Sequence, residues 1–354
     1  MCQKSWDSYP KLILRASPRP SFTERGTSRY SQSLPVLQVE HLTTNYKTLR
    51  GWVKACEDVS FDVEKGEAMG LVGESGCGKT TVALSLLKLL PSAGKIRKGK
   101  ILFNGNDLVQ MSDSQIRKIR WKGIAIVFQG AMNALNPVFK ISDQINEAIK
   151  IHEPHVSRSA AKERVEALLE MVGIDKTRAD NYPHEFSGGM RQRALIAMAL
   201  AANPEVIVAD EPGTALDVVV QAQILKLLRE LKDKLNLSMV FISHDLSIVA
   251  ETCEKLAIMY AGQIVEYGDT RSIFEKPLHP YTQGLLGAFP SIKGERRKLI
   301  SIPGQPPDLL VPPTGCRFHP RCPYVMDICK REDPKLLPVD QTNHLAHCHL
   351  YPQS

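Results

Sequence analysis

The chain changes texture at Val36. Before it, apolar residues are scattered among Ser, Arg and Pro without a sustained period. After it, "LPVLQVEHLTTNY" and "ACEDVSFDVEKGEAMGLVG" alternate apolar and polar positions in the manner of half-buried strands. The second ends in a short apolar run that closes at Val72 and feeds a glycine-rich turn. "TTVALSLLKLL" then predicts a helix beginning at Thr80, with Pro91 just past its end. From about Ile141 to Ala202 the spacing becomes helical, in "ISDQINEAIKI", "SAAKERVEALLEMVGI" and "GMRQRALIAMALAA". Strands return at "EVIVAD" and "SMVFISH", separated by the amphipathic "VVVQAQILKLLRELKDKL". Such alternation of strand and helix predicts a mainly parallel sheet covered on both faces. A proline-rich span, "SIPGQPPDLLVPPTG", leads into a cysteine-dense tail, and no internal repeat is visible.

Crossing a bilayer needs about 18–20 uninterrupted apolar residues. The longest small-apolar run, Ala194 to Ala202, is shorter and follows a basic segment, so it reads as a buried helix and any membrane association as peripheral. With 354 residues, 43% hydrophobic and 23% charged, the chain has the size and balance of one large globular cassette plus an appended domain. The net charge of +7 is uneven: residues 1–36 hold six basic side chains against Asp7 and Glu24, a balance of +4. The remainder is too nearly neutral to demand a nucleic-acid face. The Arg/Ser/Pro-rich leader is expected to be a disordered basic tail over 1–35. An organellar transit peptide is the other reading of that composition.

The chemistry begins at "GESGCGKT", Gly73 to Thr80, which fits G-x-x-x-x-G-K-[ST] between a predicted strand and a predicted helix. Gly73, Gly76 and Gly78 let backbone amides wrap a phosphate, with Glu74, Ser75 and Cys77 between them and Thr81 following in the helix. Lys79 would reach the β- and γ-phosphates of ATP, and Thr80 would hold Mg²⁺. Cys77 reads either as a thiol tuned for redox control by the helix N-terminus or, more simply, as a small side chain that fits. "VIVADEP" supplies the complementary half: Asp210 for the Mg²⁺ shell and Glu211 as general base for an attacking water.

"FSGGMRQR", Phe186 to Arg193, resembles the signature of ABC-transporter ATPases. The other motifs stand in that family's order: Gln129 in "IVFQG", "ALD" ending at Asp217, and His244 in "ISHD". The resemblance implies that Gln129 contacts Mg²⁺ and links the core to a helical insert at about 130–200. It implies that His244 orients water at the γ-phosphate. Ser187, Gly188 and Gly189 then meet the γ-phosphate held by a partner cassette. Tyr46 is placed where the family stacks adenine, with Trp52 a nearby rival. Gly130 and Gly213 depart from the family's usual residues, at positions that carry no catalysis.

Finer strings narrow the class. "AMNALNPV", "LHPYTQGLL" and "IPGQPPDLL" followed by "CRFHPRCP" resemble the D-type ATP-binding subunit of oligopeptide/dipeptide permeases. The implied fold is an α/β P-loop ABC ATPase core (36–265) with an antiparallel β portion and helical subdomain. A small C-terminal cysteine-containing oligopeptide-transporter domain (266–354) follows. The implied activity is Mg²⁺-dependent ATP hydrolysis that drives peptide uptake at the cytoplasmic face of the cell membrane. The implied partners are an F-type second ATPase, two transmembrane permeases and an extracytoplasmic solute-binding protein, with no nucleic acid. Transport of nickel or another small solute by the same subclass is the alternative. A non-transport ABC ATPase would be expected to carry a long coiled-coil insertion or two cassettes in one chain, and neither is visible.

Cys316, Cys322, Cys329 and Cys348 are separated by five, six and eighteen residues. Zinc knuckles usually begin C-x₂₋₄-C, and disulfides are rare beside cytosolic ATP. A [4Fe–4S] cluster, whose four thiolates come from loops of variable spacing, is therefore the expected occupant, and the family resemblance agrees. A mixed Cys/His zinc site and unligated thiols are the other two readings.

Overall fold

The computed structural model describes residues 34–130, 134–287, 302–339 and 343–352. The expected basic tail therefore lies almost wholly outside the described residues, as does part of "AMNALNPV".

The fold starts with a four-stranded antiparallel sheet in the order β2-β1-β4-β5, built from β1 (Leu37–Thr48), β2 (Gly51–Val63), β4 (Gly94–Phe103) and β5 (Asn106–Asp107). Along β1 the burial alternates, as its sequence does, because one face packs and the other meets water. The second sheet has eight strands. Five run parallel: β9 (Lys255–Tyr260), β3 (Ala68–Val72), β8 (Ser238–Ser243), β7 (Val206–Asp210) and β6 (Ile124–Val127). Every residue of β3, β7 and β8 is buried, which explains why these segments read as continuous apolar runs rather than alternating ones.

Two cores lie on opposite faces of this sheet. One fills the gap to the antiparallel sheet and takes in Val82, Ala83 and Leu86 of α1 (Lys79–Leu86). The other is helical and gathers α3 (Ile141–His152), α4 (Arg158–Met171), α5 (Gly188–Leu200) and α6 (Val218–Leu235); α2 (Asp113–Ile119) lies earlier in the chain. Helix α6 buries Ile224, Leu227, Leu228 and Leu231 at the expected helical spacing. Its N-cap is Asp217, whose carboxylate accepts from the Val220 N–H at 2.9 Å, and its C-cap is Asn236 in the left-handed region.

Helix α1 is shorter than its sequence suggests. Lys88 turns left-handed (φ 49°), and the Leu89 N–H reaches back to the Leu84 carbonyl at 2.8 Å. The Lys88 ammonium then donates to the Val109 and Met111 carbonyls at 3.1 and 2.7 Å, a tertiary contact that ends the helix before Pro91.

The tail carries strands as well as loops. Strand β10 (Gln263–Asp269) runs across the boundary expected at 265/266 and pairs antiparallel with β9. Strands β11 (Leu336–Pro338) and β12 (Leu345–His347) then extend the main sheet at β10. No helix of the described residues is long and apolar enough to cross a membrane.

Helices α7 (Leu246–Thr252), α8 (Thr270–Glu275) and α9 (Pro280–Gly287) follow α6 in the chain, and the carboxylate of Glu266 on β10 is completely buried. Glu266 accepts from the Leu278 and His279 N–H groups, both at 2.8 Å, and lies 2.7 Å from His344 Nε2. His279 is buried beside the Phe318 ring, and its Nδ1 accepts the Tyr281 N–H at 3.0 Å. Burial pushes its pKa down to about 3. The unfolded imidazole titrates near its ordinary 6.5, so the unfolded state binds the extra proton in between. The stability contributed by neutral His279 is complete above 6.5 and is lost as pH falls towards 3, at about 1.4 kcal/mol per pH unit. In urea unfolding between about pH 6.5 and 4.5, His279→Asn should therefore flatten the pH dependence of stability by close to one proton. An unchanged slope would refute this.

Candidate nucleotide site

The phosphate loop leaves the C-terminal end of β3 and enters α1 with almost no room for side chains. A Cβ on Gly73 would stand 2.1 Å from the Met259 carbonyl oxygen, and one on Gly78 2.2 Å from that of Ala55. Gly78 also takes φ +109°, a conformation that favours glycine. The Lys79 side chain curls back over the loop and donates to the carbonyls of Gly73 at 2.7 Å and Glu74 at 3.0 Å.

Above this loop lies a cavity of about 630 Å³. It brings together Glu74, Ser75, Gly76, Gly78, Lys79, Thr80 and Thr81 with Gln129, Glu211 and His244. The Thr80 hydroxyl donates to Asp210 at 3.3 Å, which sets two oxygens side by side at the end of the loop. Asp210 is buried, and desolvation pushes its carboxyl above the usual range. A cation at the Thr80–Asp210 pair would offset that desolvation, so the donor set suits Mg²⁺.

Glu211 sits in the left-handed region (φ 45°), an uncommon conformation for glutamate that turns its carboxylate out of the strand line. One carboxylate oxygen accepts from Gln129 Nε2 at 3.0 Å and the Thr214 hydroxyl at 2.9 Å; the other stands 3.3 Å from His244 Nδ1. The exposed His244 ring can therefore reach both a ligand in the cavity and the carboxylate beside it.

Eight of the expected residues do not line the cavity: Gly73, Cys77 and Asp210 lie within or beside the loop, and Ser187, Gly188, Gly189, Asp217 and Tyr46 stand elsewhere. Ser187 is exposed and caps α5, accepting the Met190 N–H at 3.3 Å. Gly188 and Gly189 pack on the turn that Asp217 leads into α6, with Leu216 and Val220 within van der Waals reach. Together they form a second patch beside the exposed Val218 and Val219. The Tyr46 ring covers Gly94 on the neighbouring strand, while its register partner Val53 faces the cavity. Trp52 lies under the Arg97 guanidinium at 4.9 Å.

Sequence reasoning missed Val53, Ala55, Leu285 and Leu309, which supply the apolar side of the cavity. A groove of about 1,330 Å³ between the antiparallel sheet and the tail is larger, but none of the expected nucleotide-site residues line it.

In the tail, Cys316, Cys329 and Cys348 are buried and Cys322 is half-buried. The Cys316 N–H donates to the Cys329 carbonyl at 2.9 Å, and no disulfide joins any described cysteine. Burial pushes Cys316 up to about 12 and Cys348 up to about 11, each with neighbouring tail thiols adding to the shift. Among the described residues, no group of three or more His, Cys, Asp or Glu side chains could hold a metal ion. The expected iron–sulfur and metal-binding description of the tail thus finds no support in the geometry.

The residues 56–214 match the ABC transporter family, and 265–329 match the C-terminal region of oligopeptide/dipeptide transporters. The dimeric cassette MJ0796, solved in a post-hydrolysis state with ADP and Pi, aligns at 27% identity and TM-score 0.60, covering 66% of this chain and 99% of that one. The chain belongs to the ABC transporter ATPases. Within them it falls among the oligopeptide/dipeptide transport ATP-binding proteins. It is 43% identical to the dipeptide transport ATP-binding protein DppD of Caldanaerobacter subterraneus subsp. tengcongensis, over 89% of this chain and 97% of that protein. It is 46% identical to the oligopeptide transport ATP-binding protein OppD of Bacillus subtilis, over 90% of each.

Cys77 packs beneath the loop with its sulfur 3.7 Å from Lys79 Nζ, and burial raises its thiol pKa despite that ammonium. A redox-tuned thiol needs the opposite, a lowered pKa with access. Native protein treated with iodoacetamide at about pH 8, near an ordinary thiol's pKa, should leave Cys77 unmodified until urea unfolds it. Rapid native alkylation of Cys77 would restore the redox reading.

Proposed function

We propose that this chain is the ATP-hydrolysing subunit of a peptide importer, with its cassette at 36–265 and its tail at 266–354. The observation that carries the mechanism is Glu211, which is held by Gln129, Thr214 and His244 beside the Thr80–Asp210 oxygens. In this reading the loop amides and Lys79 cradle the phosphates, and Thr80, Asp210 and Gln129 hold Mg²⁺. A cation held there would supply neutralisation of phosphate charge. Glu211 takes the proton of the attacking water, and His244 orients that water and stabilises the γ-phosphate.

The patch at Ser187, Gly188, Gly189 and Asp217 gives the reason for a second subunit. Ser187 heads a helix whose N-terminus attracts anions, yet it stands outside this chain's own cavity. A partner cassette presenting its own bound ATP to that patch, and receiving ours in return, would complete two sites at once. An F-type ATPase is the proposed partner, on two transmembrane permeases fed by an extracytoplasmic solute-binding protein at the cytoplasmic face of the membrane. Dipeptides or oligopeptides are the proposed cargo, on the strength of the relatives' names and the tail family.

The [4Fe–4S] reading of the tail belongs to the same proposal. Its basis is the four-cysteine spacing of the tail with no disulfide among the described cysteines, and a cluster would require thiols that form no metal-holding group here to be drawn together. Iron and sulfide analysis of anaerobically purified protein checks it: roughly four of each per chain are expected, and zinc alone or no metal refutes it.

For the ATPase, Glu211→Gln should leave ATP binding intact and lower turnover by about 10²–10⁴-fold, the usual worth of general-base catalysis. Phosphate-release and equilibrium-binding measurements on the same protein check both halves. Unchanged turnover would remove Glu211 from the role of base.

A further inference from the structure

The phosphate loop is gripped from outside the cassette. Arg321 belongs to the tail, between Cys316 and Cys322, and its side chain is 5% exposed. Its guanidinium forks onto the Glu74 carboxylate, with Nη1 to Oε2 at 2.7 Å and Nη2 to Oε1 at 3.1 Å. The same group donates from Nε to the Pro303 carbonyl at 2.8 Å and approaches the Tyr260 hydroxyl at 3.4 Å. Arg321 is therefore fixed by the proline-rich span and the core, not floating at the end of a flexible stem. A second tail residue, Tyr281, accepts the Glu74 N–H at 3.0 Å. The Glu74 carbonyl in turn accepts from Lys79. One residue of the loop is thus held at its side chain and its N–H by the tail, and at its carbonyl by the lysine that meets phosphate.

We infer that Arg321 is a positioning residue for nucleotide binding: it holds Glu74, and through it the phosphate loop, in the conformation that receives ATP. The inference rests on reading Gly73–Thr80 as the phosphate-binding loop. Two physical effects act together. The fork fixes the peptide units on either side of Glu74, whose carbonyls set where Lys79 points. It also neutralises a carboxylate that lines the cavity and would otherwise repel a polyphosphate.

These effects have opposite signs when Glu74 is removed, which makes the test sharp. By charge alone, Glu74→Ala should tighten MgATP binding, because an anion leaves the wall of an anion site. Loss of positioning should weaken it, and we expect weakening by about fivefold, the equivalent of roughly one hydrogen bond. Arg321→Met loses both effects and should weaken binding by about tenfold or more, for the same reasons. The double variant Glu74→Ala/Arg321→Met should resemble Glu74→Ala alone, since the stranded carboxylate is gone; the tail's general stability would instead give multiplied losses. Calorimetric titration of the full chain with MgATP reads all three, and for Arg321→Met turnover at saturating ATP should stay within about twofold of wild type. The Glu74→Ala variant leaves every tail residue in place, so it decides the matter even if Arg321→Met fails to fold. Tighter or unchanged binding in Glu74→Ala, or multiplied losses in the double variant, would overturn the inference. A wild-type chain that does not bind MgATP would sink the phosphate-loop reading instead.

Discussion

The structure hangs on a steric fact: the phosphate loop threads between two backbone carbonyls, of Ala55 and Met259, with space for hydrogen and nothing larger. Ala55 belongs to the antiparallel sheet and Met259 to the parallel one. The loop therefore pins the two sheets to each other as well as shaping a ligand site. The Cys77 carbonyl accepts the Gly262 N–H, and the Gly262 carbonyl accepts the Glu57 N–H, which carries the same link from loop to hairpin turn to β2. Close packing of this kind leaves few ways for the loop to adjust, so the direction of Lys79 and the placement of Thr80 beside Asp210 follow from it.

A second consequence concerns Glu211. Its backbone is strained into the left-handed region, while its N–H still bonds the Ile242 carbonyl on the next strand at 3.0 Å. Side-chain partners on three different segments then hold its carboxylate: Gln129, Thr214 and His244. Strain of about 1–3 kcal/mol survives only where the surroundings over-determine it. Here the over-determination comes from groups that would also face the reacting phosphate.

Much of this was legible in sequence because the chemistry is local. Eight consecutive residues define the phosphate loop, and Asp210 and Glu211 are neighbours at the end of an apolar strand. Gln129 and His244 are single residues read from motif order, and they do reach the cavity. What sequence could not give was anything set by distant pairing. The end of α1 depends on Lys88 finding carbonyls 21 and 23 residues away. The two tail strands are three residues each, too short for a period to show, and they exist because β10 offers them an edge. Tyr46 was placed by motif analogy, but the register of β1 against β4 sets its ring over Gly94. In "CRFHPRCP" the residue that touches the phosphate loop is Arg321 rather than either cysteine.

Arg321 and Glu74 are 247 positions apart in the chain. At ribosomal speeds of about 5–20 residues per second, the loop is made roughly 12–50 s before its brace. During that interval the emerging cassette can form its helices and parallel strands, but its phosphate loop lacks the tail's grip. A ligand stabilises what it binds by an amount that grows with the logarithm of its concentration over its Kd. With the brace as proposed, ATP at cellular concentration would favour chains translated past Arg321 over their unfinished precursors, so that the nucleotide acts as a selector of completed subunits before any transport begins.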